Sequence, residues 1–178
     1  MIEHLELPMS LPTRDATVTV RRATSDDLHA IVRLLADDAI SAGRGDVASP
    51  DDEAAYAAGL ERITAAPGNE LLVAVTADDT VVATLQLTLI PGMARRGSSR
   101  VLVEAVRVAS TGRSSGIGTA LMRWVVDVVA VRLGASLVQL TSDAARVDAH
   151  RFYRRLGFVD SHVGIKYSVG ATGRSSDG

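Results

Sequence analysis

The segment from Val101 to Leu133 constrains this chain more than any other. Val101 to Val108 is apolar at every position except Glu104 and Arg107, the pattern of a strand buried on both faces. It leads through Ser110-Thr111-Gly112-Arg113-Ser114-Ser115-Gly116 into Ile117 to Leu133, where Leu121, Trp124, Val125 and Val128 recur at helical spacing. A strand covered on both faces that feeds a helix needs layers on either side of a sheet, so the fold class is α/β or α+β.

The same switching between period two and period 3.6 continues along the rest of the chain. Val18 to Arg22 reads as a short strand, and Thr24, Ser25 and Asp27 supply a capping signature ahead of Leu28, Ile31, Leu34 and Leu35, a helix ending near Gly43. Pro50, Asp51, Asp52 and Glu53 open a second helix that stops before Pro67-Gly68. Leu71 to Val75 and Val81 to Leu89 form a hairpin around Asp78-Asp79. Ser136 to Leu140 is a strand, Ala145 to Leu156 a helix closed by Gly157, and Phe158 to Val169 a last strand. The order β-α-α-β-β-β-α-β-α-β predicts a mixed sheet with helices on both faces. A length of 178 residues predicts one domain, here 17–169, between a flexible N-terminal segment, 1–16, and a flexible tail, 170–178.

Composition narrows the function classes. Hydrophobic residues are 47% and charged residues 22%, a balance that folds without a partner. No apolar run reaches the roughly 18 residues that cross a bilayer, and Met1-Ile2-Glu3-His4 is no secretory signal, so neither a membrane nor secretion is expected and the location predicted is cytoplasmic. With no cysteine there is no disulfide, thiol nucleophile or Cys-based zinc site. The histidines are scattered, so no metal is expected. A net charge of −2 gives no reason to expect nucleic acid. Every basic residue except Lys166 is arginine, as in a GC-rich, bacterial coding bias.

The turn Arg113-Ser114-Ser115-Gly116-Ile117-Gly118 carries the first chemical signal. A glycine-rich turn at a helix start presents unpaired N–H groups and the positive end of the helix dipole, a site for phosphate, with Arg113 as a charged donor. The spacing matches neither GxxxxGK[ST] nor GxGxxG, and a tight strand-to-helix turn would need the same glycines. Roughly forty residues on lies Ala149-His150-Arg151-Phe152-Tyr153-Arg154-Arg155-Leu156-Gly157-Phe158.

In this order, the two segments resemble the acyl-CoA motif and the following motif of the GNAT superfamily of acyl-CoA-dependent N-acyltransferases, over roughly residues 17 to 169. The resemblance implies a mostly antiparallel sheet whose central strand, Val101 to Val108, splays from Ser136 to Leu140 at a bulge. It implies acetyl-CoA as co-substrate, with the main chain of Val106 and Val108 holding pantetheine and Arg113, Ser114, Ser115, Gly116, Ile117, Gly118 and Thr119 holding the pyrophosphate. Where many members carry an asparagine this chain has Arg146, which would meet a phosphate instead. A homodimer through the last strand or the open sheet edge would follow a common habit of the family.

The reaction implied is acetyl transfer to a primary amine on a small molecule or peptide. An amine with pKa about 10.4 is neutral in only about one molecule in a few thousand at pH 7, so a base is needed. Glu104, mid-strand in an apolar run, is the candidate base; alternatively it pairs with Arg100 or Arg107. By alternation it would share a face with Val106 and Val108 unless a bulge intervenes. The resemblance makes Tyr153 the acid that protonates the departing thiolate, and a strand amide near Val106 the oxyanion donor; the alternative for Tyr153 is a core tyrosine bonded to backbone. Thr141, Ser142 and Asp143 line the site or cap the next helix. Asp37, Asp38, Asp46, Asp51, Asp52 and Glu53 would draw a cationic acceptor, or simply serve helix starts and a solvated face. His150 and His162 read as surface or packing residues.

Overall fold

Alternating and continuous apolar runs pair into one six-stranded sheet whose spatial order is the chain order: β1 (Met9–Pro12), β2 (Thr17–Arg22), β3 (Asn69–Val75), β4 (Val81–Ile90), β5 (Ser99–Val108) and β6 (Ala135–Leu140). Every neighbouring pair is antiparallel except β5 and β6, which are parallel and joined by a helical crossover. The structure is a computed structural model that describes residues 1–43, 45–112, 114–167 and 169.

Helices cover both faces. On one lie α1 (Leu28–Ala36), α2 (Ala39–Ala42) and α3 (Glu53–Ala65), with Ile31 packed against Leu71, Val73 and Val75. On the other lies the crossover, α5 (Ile117–Trp124), a wider π-type turn at Val125–Val129, and α6 (Ala130–Arg132). Its Leu121, Met122, Val125 and Val129 are fully buried on Leu72, Leu85, Leu87, Val101 and Val103. Burying side chains of this size is worth roughly 1.5–3 kcal/mol each, so this larger core fixes β5. A left-handed turn, α4 (Ala94–Gly97), joins β4 to β5, and α7 (Val147–Arg155) follows β6.

Three expectations are corrected. The N-terminal segment 1–16 is not loose: β1 pairs with β2, and Ile2, Leu5 and Leu11 are buried in the main core. Its two prolines hid a four-residue edge strand, where a missing N–H costs nothing on the open side. The last strand does not form among the described residues of 158–169; Val159, Val163, Ile165, Tyr167 and Val169 are exposed because nothing lies beside them. The tail 170–178 lies outside the described residues. The first helix breaks at Asp37 and Asp38, where the Asp38 carboxylate accepts the amides of Ile40 (2.8 Å) and Ser41 (3.1 Å) and restarts the chain as α2.

Candidate active site

Where β5 leaves β6 the sheet opens. Their ladder runs from Ser99 opposite Ala135 to Val103 opposite Leu140, while β5 continues to Val108 with no partner from β6. On its other edge β5 carries a bulge: Gln86 faces Glu104 and Thr84 faces Arg107, so Ala105 and Val106 together oppose Leu85. Ala105 sits at φ 51°, the left-handed region that alanine seldom adopts. The extra residue shifts parity. Glu104 and Arg107 come to the face of α1 and α2, whereas Val106 and Val108 pack into the opposite core. The expected sharing of one face by Glu104, Val106 and Val108 is thereby overturned.

The turn after β5 presents the start of α5. Gly116 is its N-cap at φ 90°, and the first amide to reach back into the helix is that of Ala120, to the Gly116 carbonyl (2.9 Å). Helix geometry leaves the preceding amides, of Ile117, Gly118 and Thr119, without intrahelical partners. Ser114 and Thr119 are exposed, and Ser115 Oγ donates to the Gly112 carbonyl (2.5 Å). Arg113 lies outside the described residues. The glycines have packing reasons of their own: a Cβ on Gly116 would meet the Arg14 amide nitrogen at 3.0 Å, and one on Gly118 the Phe152 ring at 3.5 Å. Arg14, in the β1–β2 turn, donates its amide to Ser115 O (3.0 Å) and Nη1 to Ser114 O (3.1 Å), bringing an unforeseen guanidinium to the loop. No pattern in 1–16 marked it; only the tertiary fold of β1 carries it there.

Tyr153, on α7, packs edge-on between Phe152 (centroids 5.1 Å) and Phe158 (5.7 Å). Burial raises its phenol above the ordinary value, against the opposing fields of Arg107 and Arg146. Both guanidiniums converge on the buried Ser41: Arg107 Nη2 donates to Ser41 Oγ at 2.6 Å and Arg146 Nη2 at 3.1 Å. Arg146 also pairs with Asp38. Arg146 thus faces α2 and is already engaged, rather than reaching for a phosphate as expected.

Glu104 is exposed, not desolvated, and makes no ion pair with Arg100 or Arg107. Strand alternation from the buried Val101 and Val103 turns it away from the main core. The acidic stretch is largely committed: Asp37 Oδ2 accepts the Ser110 amide (2.7 Å), Asp38 is paired, and Asp46 Oδ1 accepts from Tyr56 (2.8 Å), a bond that pushes the Tyr56 phenol up to about 12. Ser142 Oγ is buried without a hydrogen-bond partner, so it does not cap α7, whereas Asp143 Oδ1 accepts the Ala145 amide (2.9 Å). Two depressions, of about 590 and about 480 Å³, share no lining residue with this region. Among the described residues no group of three or more His, Cys, Asp or Glu is placed to hold a metal ion, and no helix is long and apolar enough to cross a membrane.

An unpartnered strand edge beside an open helix start can hold a linear amide-bearing chain by main-chain bonds and its anion by N–H groups. A structure from Bacillus halodurans C-125 described as a transcriptional regulator is 38% identical, with TM-score 0.79 over 85% of this chain and 99% of its own. A putative acetyltransferase from Agrobacterium tumefaciens is 24% identical, with TM-score 0.70 over 84% and 98%. Glucosamine-6-phosphate N-acetyltransferase from Arabidopsis thaliana, at 17% identity, shares the fold with TM-score 0.67 over 85% and 98%. A search of curated proteins returned no match. The model of the Acetyltransferase (GNAT) family matches residues 28–158, and the chain belongs to that family.

Proposed function

We propose that this chain is an N-acetyltransferase that moves the acetyl group of acetyl-CoA to a primary amine by direct attack in a ternary complex. The observation that carries the reading is the open edge of β5 beyond Val103, which ends at the start of α5. Pantetheine would lie along the main chain of Val106 and Val108. The pyrophosphate would meet Ser114, Ser115, Gly116, Ile117, Gly118 and Thr119, with Arg113 and Arg14 as cations. Glu104, exposed on the face of α1 and α2, would take a proton from the bound ammonium, directly or through water. The freed lone pair attacks the thioester carbonyl to form the C–N bond and a tetrahedral oxyanion that the Val106 N–H would stabilise; collapse breaks the C–S bond, and the nitrogen's second proton would return to the Tyr153 oxygen once that hydroxyl has protonated the thiolate. The Tyr153 hydroxyl, kept protonated by burial, would give its proton to the departing thiolate. Without cysteine the chain has no thiol for an acyl-enzyme.

Thiol release from acetyl-CoA in the presence of a panel of amines tests the reading. Release should require an amine, and Glu104→Gln should lower kcat by about 100-fold while the thermal shift produced by acetyl-CoA persists. Wild-type turnover in that variant removes Glu104 from the role. The name borne by the Bacillus halodurans structure favours a second reading, a non-catalytic acyl-CoA-binding or regulatory module on the same fold. That module would bind acetyl-CoA and release no thiol with any amine.

A further inference from the structure

The cluster at the parting of β5 and β6 gathers two guanidiniums on one hydroxyl. Arg107 and Arg146 both donate to Ser41 Oγ, which is 3% exposed as a residue. Their only carboxylate within ion-pair distance among the described residues is Asp38, and it is on Arg146. Among the described residues Arg107 hydrogen-bonds only neutral partners, Ser41 Oγ and its neighbour's carbonyl, Val106 O at 2.8 Å. Its Nε is buried and has no partner. Burial, reinforced by repulsion from Arg146, lowers the Arg107 guanidinium below its ordinary value against the opposing fields of Asp38, Asp46 and Tyr153. A half-buried guanidinium with no carboxylate in contact and one donor unmade carries a cost that a bound acceptor would relieve. The bulge at Ala105 puts this side chain on the same face as Glu104, so the cation and the candidate base point to one side of β5.

We propose that Arg107, supported by Arg146 and Ser41, is the receptor for a carboxylate on the acceptor, so that the acceptor is an amino acid or another amino-carboxylate rather than a polycation. Resting on the transferase reading, this names its substrate class. The Nε edge of a guanidinium is half of the side-on fork that grips a carboxylate, and a carboxylate there would supply the missing acceptor. Of the acidic residues between 37 and 53, Asp37, Asp38 and Asp46 are bonded to Ser110, Arg146 and Tyr56, which leaves Asp51, Asp52 and Glu53 at the start of α3 to face a cation.

The test compares L-amino acids, their methyl esters, and spermidine in thiol release from acetyl-CoA, alongside thermal shifts produced by N-acetyl-amino acids and by their methyl esters, which need no turnover. Free acids should exceed esters and spermidine by at least about 100-fold in kcat/KM, and only the free N-acetyl acids should raise Tm. Arg107→Gln and Arg107→Lys should erase the preference, raising KM for acids about 100-fold while keeping the thermal shift from acetyl-CoA. If Arg107→Gln fails to fold, Arg107→Lys, which keeps the charge but loses the fork, carries the test. Thiol release that is indifferent to the carboxylate overturns the proposal and leaves the transferase standing. No thiol release, with N-acetyl acids still raising Tm through Arg107, overturns the transferase and leaves the anion site. Loss of both responses overturns both.

Discussion

Tyr153 and Glu104 are placed by opposite circumstances. Tyr153 is enclosed by two aromatic rings and held protonated by burial, so it can donate through and beyond neutral pH. Tyr153→Phe removes that proton and little packing: kcat should fall by about 100-fold, with KM for acetyl-CoA within twofold of wild type. Steady-state kinetics check it, and an unchanged kcat would return Tyr153 to a packing role. Its position could be read from the AHRFYRRLGF segment because that motif is local. That Glu104 shares a face with Arg107 rather than with Val106 could not be read, because a single φ of 51° at Ala105 decides which way the following side chains turn. No residue type announces that angle; glycine would have, and alanine does not.

At the scale of elements, the start of α5 carries a prediction that separates binding from stability. Thr119 is exposed at the third helical position. A carboxylate there suits the helix dipole, so Thr119→Glu should keep the stability of the free protein or raise it by roughly 0.3–1 kcal/mol. The same charge would repel a phosphate, so the thermal shift from acetyl-CoA should fall by at least about tenfold in apparent affinity. A shift equal to wild type places the pyrophosphate elsewhere. The junction of β2 with α1 gives a pH prediction. Burial alone would raise the Asp27 carboxyl, but hydrogen bonds from Arg21 (2.7 and 2.9 Å) and from the Thr24 amide (2.8 Å) outweigh it and hold it below its ordinary value. A carboxyl depressed in the folded state contributes stability above its unfolded value, about 3.9, and that stability is lost as pH falls through the folded value. Asp27→Asn should therefore cost about 2 kcal/mol at pH 7, roughly 4–8 °C in Tm, and flatten the loss of Tm between pH 5 and pH 2.5. Thermal melts across that range check both. The capping signature Thr24-Ser25-Asp27 was legible because capping is local; its second anchor, Arg21, is on a strand and became visible only in three dimensions.

Across the whole molecule, the two ends of the chain exchange the roles their sequences imply. Pro8 and Pro12 made residues 1–16 look loose, yet Ile2 and Leu11 are buried and Arg14 buttresses the loop before α5. The alternating Val163, Ile165 and Tyr167 looked like a strand, yet each is about nine-tenths exposed. Replacing those three together with serine should therefore shift Tm by no more than about 2 °C, since exposed side chains contribute little burial. A fall of several degrees in differential scanning calorimetry would mean that another surface covers them in solution. By itself the sequence determined the layered α/β class, five of the six strands, the crossover helix and the paired motifs, because hydrophobic period, caps and glycine turns act within a few residues. Only the tertiary structure decided which strand occupies the first edge, where β5 and β6 part, which face Glu104 and Arg107 share, and which arginine keeps a carboxylate. Those outcomes depend on register, one bulge and contacts between residues as distant as Ser41 and Arg146, and side-chain periodicity holds no record of such distances.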